Sequence, residues 1–324
     1  MPRLALLATG GTIAGSGSQT AYRAGVLDAR TLVEAVPRLG ELAQWQIEQA
    51  FALDSRDLTP AHWLELAARV RALQADPAID GIVITHGTDT LEETALALHL
   101  LLGNAGCVVL TAAMRPATSA SADGPLNLIQ AACVAGAGAG RGVLVVADGR
   151  ILAADAIVKT HTHAVDALQP RPDRAATGSV LGEAVHFGGP APAPRAALLR
   201  ADAPLPRVDI LYASAGAPDD LIDACVRAGA RGLVLALTGH GSVPAAWREA
   251  LARARAAGVS LVRASRVGAG GVWPDCNEDD EAAGTIAACH ATPQQARVLL
   301  MLALAARPVP ARNDLVALFA GLPC

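Results

Sequence analysis

Thr88, Asp89 and Lys159 carry the side chains from which an acyl-transfer site could be built. A threonine hydroxyl becomes a nucleophile when a neighbouring group removes its proton. An amine in an apolar pocket can do this because burial favours its neutral form, and a carboxylate can hold the amine in place. The three residue types therefore fit a nucleophile, a base and an orienting group. The alternative for Asp89 is an ordinary N-cap at the start of a helix.

Lys159 is also the only lysine in a chain of 324 residues that has 26 basic side chains. A nucleotide bias towards arginine codons explains the scarcity of lysine, and Lys159 could be a chance survivor on the surface. Arginine keeps its proton under ordinary conditions, whereas lysine can release one. The position that kept a lysine is therefore a candidate for proton transfer.

A second hydroxyl, that of Thr12, follows the glycine pair Gly10 and Gly11. Glycines allow a sharp turn and a close approach to a ligand, and their amides could donate to a developing oxyanion. Thr12 is then expected to face a cleft. An ordinary glycine turn is the alternative. A nucleotide-binding loop is less favoured than either, because there is no GxGxxG pattern and no lysine follows the glycines.

His161 and His163 form an HxH pair that could supply two imidazoles to one metal ion, with His86 as the nearest third ligand. The sequence offers neither an acidic cluster nor a pair of cysteines to complete such a site. We therefore expect no bound metal and interpret these histidines as exposed or supporting residues.

The composition excludes several other classes of protein. Apolar residues make up 52% and charged residues 17%, which predicts a folded chain with a substantial core. Aromatic residues make up only 3% and the net charge is −4, so no nucleic-acid surface is indicated. No apolar run reaches the length of a membrane span. The six cysteines lie far apart, which favours free thiols in a reducing cytoplasm.

The elements that position these residues are predicted to alternate between strand and helix. Continuous apolar runs predict buried strands, and longer stretches opened by Thr, Asp or Pro predict helices. The predicted strands are Leu4–Ala8, Gly81–Thr85, Cys107–Thr111 and Gly142–Ala147, and the predicted helices are Pro60–Leu73, Thr90–Leu102 and Pro125–Ala135. This α/β alternation predicts a parallel sheet covered on both faces. The first apolar run is thus expected to be a strand and not a secretion signal.

A change in composition after Phe187 indicates a two-domain chain. Residues 188–207 contain five prolines, which is typical of a linker. We predict a larger N-terminal α/β domain at residues 1–188, a linker at 189–206 and a smaller C-terminal α/β domain at 207–324. The predicted C-terminal strands are Val208–Tyr212, Gly232–Leu237 and Ser260–Ala264, and the helices are Pro218–Ala228, Pro244–Ala257 and Pro293–Ala305.

Ligands of open α/β sheets bind beyond the carboxyl ends of the strands, and both threonine loops follow predicted strands. The segments around them resemble the bacterial L-asparaginase/glutaminase family. The matching segments are LATGGTIAG from Leu7, VITHGTDTLEETA from Val83, AMRPATSASADGPLNL from Ala113, Lys159 itself, SRVGAGG from Ser265 and PQQARVLLMLAL from Pro293. They cover nearly the whole chain. The resemblance implies two α/β domains of unequal size and a homotetramer with active sites between paired subunits.

The resemblance also implies catalytic roles. Thr12 corresponds to a nucleophile on a mobile N-terminal loop, and Tyr22 corresponds to a tyrosine that helps to activate it. Thr88, Asp89 and Lys159 correspond to a second catalytic group. The implied reaction begins with attack on a side-chain amide, loses ammonia from an acyl-enzyme and ends with hydrolysis by water. It needs no metal or organic cofactor.

Further positions are implied to bind the substrate. Ser55 corresponds to a serine that contacts the α-carboxylate, and Asp89 also binds the α-ammonium group. Gly11 and Gly87 are candidate binding residues in the two threonine loops.

Three candidate binding positions depart from the family pattern. Arg56 stands where many members have Gln or Glu, and Ser242 stands where many have Asn. Asn277 stands where the family usually has a Glu, contributed by the neighbouring subunit, that binds the ammonium group. Glu278 is adjacent and could compensate through a shifted loop. An uncompensated change of charge in a partly dry site costs several kcal/mol of binding, so these changes bear on amino-acid specificity.

The main hypothesis is a cytoplasmic amidohydrolase of the asparaginase type, acting on L-asparagine, L-glutamine or a related amide. The alternative is a catalytically weak protein that binds or senses amino acids on the same fold. Arg56 and Asn277 motivate the alternative, whereas the intact threonine and lysine positions favour the enzyme.

Overall fold

A computed structural model describes residues 1–18, 21–193, 195–201, 203–307 and 309–321. The chain divides into two compact units, Met1–Leu198 and Leu199–Cys324. The division falls within the predicted linker 189–206, of which positions 194 and 202 lie outside the described residues, as does Cys324. The domain boundaries drawn from the sequence stay a prediction.

The N-terminal unit contains most of the strands. Its strands in chain order are β1 (Arg3–Gly10), β2 (Ser16–Ser18), β3 (Ala21–Arg23), β4 (Gln44–Leu53), β5 (Gly81–Thr85), β6 (Cys107–Thr111), β7 (Gly142–Ala147), β8 (Arg150–Ala153), β9 (Ile157–Lys159), β10 (Leu168–Pro170), β11 (Gly178–Leu181) and β12 (Ala184–Phe187). Its helices are α1 (Ala29–Glu34), α2 (Arg38–Leu42), α3 (Pro60–Gln74), α4 (Leu91–Leu102) and α5 (Gly124–Ala137).

The main sheet has the spatial order β12-β11-β8-β7-β6-β5-β1-β4 in the described part of the chain. The run from β4 to β7 is parallel, and β5, β6 and β7 are buried at every position, as a sheet covered on both faces requires. The four strands predicted from apolar runs are therefore confirmed.

Three strands at one side of this sheet depart from the predicted parallel arrangement. Strands β8, β11 and β12 are antiparallel to their neighbours. The turn between β7 and β8 consists of Asp148 and Gly149, both with positive φ, at 49° and 71°. A two-residue turn of this kind reverses the chain and matches the twist of a hairpin.

The C-terminal unit is a smaller parallel sheet with helices. Its strands are β13 (Val208–Tyr212), β14 (Gly232–Leu237), β15 (Ser260–Ser265) and β16 (Thr285–Ala287), in that spatial order. Its helices are α6 (Asp220–Arg227), α7 (Arg248–Ala256), α8 (Asp280–Ala283), α9 (Pro293–Ala306) and α10 (Arg312–Ala320). The predicted start of α7 is four residues early because Ala245–Trp247 form a 3-10 turn before the helix.

A buried ion pair organises the loops of this smaller unit. Arg263 and Asp280 are at most 1% exposed and make two bonds of 2.6 Å. Arg263 also donates to the carbonyl oxygens of Gly241 and Trp273, at 2.9 and 3.4 Å. The pair therefore fixes the loop after β14 relative to the loop before α8.

Part of the predicted linker is bound to the N-terminal unit. The amide of Arg195 donates to the side chain of Asn104, and the amide of Leu198 donates to the carbonyl of Leu100 at 2.9 Å. No helix in the described ranges is long and apolar enough to cross a membrane.

Candidate active site

Three neighbouring parallel strands bring the candidate residues of the N-terminal unit to one edge of the main sheet. Strand β1 lies between β4 and β5. Thr12 follows β1, Ser55 follows β4 and Thr88 follows β5. Because parallel strands end at the same edge, these residues follow the carboxyl ends of adjacent strands, where open α/β sheets bind ligands.

Glycines allow the two threonine loops to approach each other closely. A Cβ atom on Gly11 would lie 2.4 Å from the amide nitrogen of Gly87, and Gly11 has a φ of +77°. A Cβ atom on Gly87 would lie 2.6 Å from Oγ of Ser55. Side chains at either glycine would thus separate the loops that carry Thr12, Thr88 and Ser55.

The predicted oxyanion role of the Gly11 amide is wrong. This amide donates to the carbonyl oxygen of Leu53 at 2.9 Å, where the ends of β1 and β4 meet. The glycine is needed here for its conformation and its small size, because the backbone bond is already made.

The Thr12 hydroxyl is hydrogen-bonded to the Tyr22 hydroxyl. The hydroxyl oxygens are 2.8 Å apart, and Thr12 is only 7% exposed. Tyr22 lies on β3 of the hairpin formed by β2 and β3, opposite Gly17. The hydroxyl of Thr118 accepts from the Gly17 amide at 2.9 Å and donates to the Gly17 carbonyl at 2.8 Å. Thr118, which the sequence reasoning did not single out, therefore anchors the hairpin that carries Tyr22.

Lys159 joins Thr88 and Asp89. Its Nζ donates to Oγ1 of Thr88 at 2.9 Å and to Oδ1 of Asp89 at 2.5 Å. The Lys159 side chain is 18% exposed, which contradicts the alternative of a chance surface lysine. The N-cap alternative for Asp89 also fails, because Thr90 occupies the N-cap of α4.

Ser55 offers a hydroxyl that is free to bind a ligand. It is 2% exposed, and its buried Oγ has no hydrogen-bond partner in the described part of the protein. A buried hydroxyl without a partner is costly unless something else bonds it. Nη2 of Arg56 lies 3.1 Å from Oδ2 of Asp54. The positive charge that distinguishes this position is therefore paired within its own loop.

The remaining candidate binding residues belong to the C-terminal unit and contact each other. Nδ2 of Asn277 lies 3.4 Å from Oγ of Ser242. Asn277 has a φ of 63°, a conformation that asparagine tolerates better than glutamate. The Glu278 carboxylate accepts from the Val243 amide and pairs with Arg248, each at 2.9 Å. Compensation by Glu278 would require these bonds to break.

The histidine pair does not gather a third metal ligand. The rings of His161 and His163 pack edge to face with their centres 4.4 Å apart, and Nδ1 of His161 accepts the amides of His163 and Ala164. The described residues hold no group of three or more histidine, cysteine, aspartate or glutamate side chains that could bind a metal ion.

Two titratable groups that flank Thr88 in the sequence have strongly shifted pKa values. Burial lowers the pKa of His86 to about 4, although its Nδ1 donates to the Gly87 carbonyl at 2.7 Å. Burial raises the pKa of Glu92 to about 7, against the opposing hydrogen bond from the Lys159 amide. Glu92 was missed as a site residue, although it lies within the matching segment that begins at Val83 and in the first turn of α4.

Comparison with known proteins identifies the class of this chain. Residues 3–192 match the N-terminal asparaginase model, and residues 207–314 match the C-terminal domain model of glutaminases and asparaginases. A probable periplasmic L-asparaginase of Haemophilus influenzae is 41% identical over 94% of this chain and 89% of its own length. A glutaminase-asparaginase of Pseudomonas fluorescens is 35% identical over 94% of this chain and 86% of its own.

A solved structure agrees with these sequence matches. The crystal structure of a probable cytoplasmic L-asparaginase from Campylobacter jejuni has a TM-score of 0.89 at 36% identity and covers 99% of both chains. The protein is thus a hydrolase that acts on amide bonds, and it is built from α/β domains. It belongs to the asparaginase family. The family resemblance read from the sequence is confirmed, and the binding or sensing alternative is not favoured.

Proposed function

We propose that this enzyme hydrolyses the side-chain amide of L-asparagine to L-aspartate and ammonia, with Thr12 as the nucleophile. One observation carries the proposal: each of two loops at neighbouring strand ends presents a threonine hydroxyl bonded to a group that can exchange a proton. Tyr22 lies 2.8 Å from Thr12, and Lys159 lies 2.9 Å from Thr88.

In the first half of the reaction, Oγ1 of Thr12 attacks the amide carbon. The Tyr22 hydroxyl accepts the Thr12 proton and releases its own proton to the amide nitrogen. The C–N bond then breaks, ammonia leaves with one added proton, and the acyl group remains on Thr12. In the second half, a water molecule attacks the ester, and the aspartate side chain leaves as a carboxylic acid that then ionises. Thr88, Lys159 and Asp89 exchange the protons that these steps require.

The substrate assignment rests on the relatives and on two side chains. The relatives include proteins named L-asparaginase and glutaminase-asparaginase. The unpartnered hydroxyl of Ser55 suits the α-carboxylate, and the Asp89 side chain, 54% exposed, suits the α-ammonium group. We assign Gly11 and Gly87 to the walls of the site and Arg56 to its selectivity. Ser242 and Asn277 are assigned to substrate binding by the family resemblance alone.

The wider assignment is an enzyme of the cytoplasm that assembles as a homotetramer and uses no metal or organic cofactor. The five cysteines in the described ranges are free thiols, which fits a reducing compartment. Of the relatives compared, one is named periplasmic and another cytoplasmic. The tetramer follows from the family resemblance.

A substrate panel on the purified protein tests the proposal. Ammonia release is measured with L-asparagine, with L-glutamine, and with the analogue of asparagine that lacks the α-ammonium group. The proposal requires L-asparagine to give a kcat/KM of about 10⁴ M⁻¹s⁻¹ or more. Ammonia release from the deaminated analogue alone would refute L-asparagine as the substrate. Release from none of the three compounds would refute the amidohydrolase function.

A further inference from the structure

Both the side chain and the backbone amide of Lys159 are hydrogen-bonded to residues 88–92. Its Nζ bonds to Thr88 and Asp89, which lie just before α4. Its backbone amide donates to Oε2 of Glu92 at 3.0 Å, and Glu92 is in the first turn of α4. The segment that presents the threonine therefore also fixes the backbone from which the lysine side chain extends.

The strand that carries Lys159 is short. Strand β9 has three residues, pairs only with the three-residue β10 among the described strands, and ends at Lys159 opposite Leu168. Strand β9 contacts α4 in the structure. A carboxylate that accepts the Lys159 amide ties the end of this short strand to α4, so its removal would detach the Lys159 backbone from this helix.

We propose that Glu92 is a positioning residue of the catalytic group. Its carboxylate holds the Lys159 backbone so that the lysine amine points at Thr88, and its charge acts on that amine. The inference rests on the proposed function only in naming Thr88 and Lys159 as catalytic. The geometry itself is a set of hydrogen bonds among residues 88 to 159 of one unit.

Glu92 also links this position to pH. Burial raises its pKa to about 7, the bond from the Lys159 amide lowers it, the charge of Glu93 raises it, and the Lys159 ammonium lowers it. These two charged groups face Glu92 from its own helix and from β9. Strand β7, which also packs on α4, has no titratable side chain.

The charged residues of α3, which also packs on α4, are engaged elsewhere. His62 bonds to Thr59 at 2.9 Å. Arg69 bonds to Glu65 on its own helix at 2.7 Å and also to Glu48. Arg71 donates to the Leu101 carbonyl at 3.1 Å, at the opposite end of α4. Near neutral pH, therefore, a change in the charge of Glu92 is felt directly at Lys159.

The single lysine permits a direct spectroscopic test. Protein labelled with [¹³C]lysine gives one Cε resonance, which is followed from about pH 5 to about pH 9. We expect a step in its shift with a midpoint near pH 7, where Glu92 titrates. Glu92→Gln should abolish this step. Glu93→Gln should keep it and move it to lower pH, because the charge of Glu93 raises the pKa of Glu92.

No step in the wild type, or a step that persists in Glu92→Gln, would overturn the electrostatic part of the proposal. The resonance is read without any substrate. Failure of the wild-type enzyme to release ammonia would therefore refute the proposed function and leave this result to be judged separately.

Kinetics test the positioning part. Glu92→Ala removes the acceptor of the Lys159 amide, so kcat should fall at least about tenfold while KM stays within about twofold. Glu92→Gln retains an acceptor oxygen and should keep most of the wild-type kcat at pH values below the titration of Glu92, where the wild-type side chain is also neutral. A wild-type kcat in Glu92→Ala, or equal losses in both variants, would overturn the proposal. If Glu92→Ala does not fold, Glu92→Gln and the resonance decide.

Discussion

At the scale of single residues, the site depends on hydroxyl groups held by hydrogen bonds of ordinary length. Thr12 and Tyr22 form one pair, and Thr88 and Lys159 form another. Neither threonine is activated by its own chemistry at neutral pH, so each needs the partner that the loop geometry supplies. The most informative substitutions are therefore those that remove the proton-exchanging group of Tyr22 or Lys159 and leave the threonine in place.

Tyr22→Phe removes one oxygen and leaves the ring that packs beside Gly15. We expect kcat for ammonia release to fall by about 10²-fold or more, because the Thr12 proton loses its acceptor. The only other tyrosine, Tyr212, lies exposed in the C-terminal unit, so Tyr212→Phe is the matched control and should keep wild-type turnover. Equal kcat values for the two variants would remove Tyr22 from the mechanism.

Lys159→Arg keeps a positive charge near Asp89 but replaces an amine that can release a proton. We expect a loss of about 10²-fold or more in kcat, with a melting temperature close to that of the wild type. Steady-state ammonia release and a thermal scan of the same preparation check this. A fully active arginine variant would show that Lys159 supplies only charge.

At the scale of elements, the site is made by three adjacent strands whose loops can approach because glycine stands at the contact. Gly11 meets Gly87, and Gly87 meets Ser55, each at a distance that leaves no room for a Cβ atom. The arrangement links local backbone conformation directly to the placement of the two hydroxyls.

Gly11→Ala tests this contact against a matched glycine. Gly11 and Gly182 both have positive φ, at +77° and +61°, but a Cβ on Gly182 would meet nothing within 4 Å. Gly182→Ala should therefore cost only about 1 kcal/mol of conformational strain. Gly11→Ala should destabilise the protein by clearly more and abolish most of the activity, because it also pushes the Gly87 loop away. Equal melting temperatures for the two variants would contradict this reasoning.

The sequence predicts the buried strands well and the surface hairpins poorly. Runs such as Cys107–Thr111 are apolar except for the final threonine, so their bounds follow closely from composition. Strand β4 was missed because it is half-buried and rich in glutamine and glutamate. The β7–β8 hairpin was missed although Asp148-Gly149 is a typical hairpin turn.

For the site, reasoning from the residues supplied both threonines, Asp89 and Lys159, and the family resemblance supplied Tyr22 and Ser55. Neither could show that the Gly11 amide is already bonded to Leu53, because that bond depends on how β4 pairs with β1. Glu92 escaped notice because an acidic residue in the first turn of a helix is common. Only its contact with β9 distinguishes it.

At the scale of the whole molecule, the two shifted groups beside the site affect stability with opposite signs. His86 has a folded pKa of about 4, below its ordinary 6.5, so the unfolded chain takes up a proton first and stability is lost as pH falls from 6.5 towards 4. Glu92 has a folded pKa of about 7, above its ordinary 4.5, so its contribution is present at low pH and is lost as pH rises from 4.5 to 7.

Glu92→Gln should therefore make stability rise more steeply with pH than it does in the wild type. Between pH 4.5 and 7, the free energy of unfolding of the variant relative to the wild type should increase by about 3 kcal/mol. Thermal scans of both proteins across this interval measure the difference. Curves that run parallel would show that Glu92 does not titrate in this range.

The most direct test of the central claim is ammonia release from L-asparagine by Thr12→Ala and Thr12→Ser, each shown to be folded by its melting temperature. If Thr12 forms the acyl-enzyme, the alanine variant loses about four orders of magnitude or more in kcat, and the serine variant, which keeps a hydroxyl, retains a measurable part. Turnover by Thr12→Ala within about tenfold of the wild type would contradict the account, because a lost nucleophile costs far more than that.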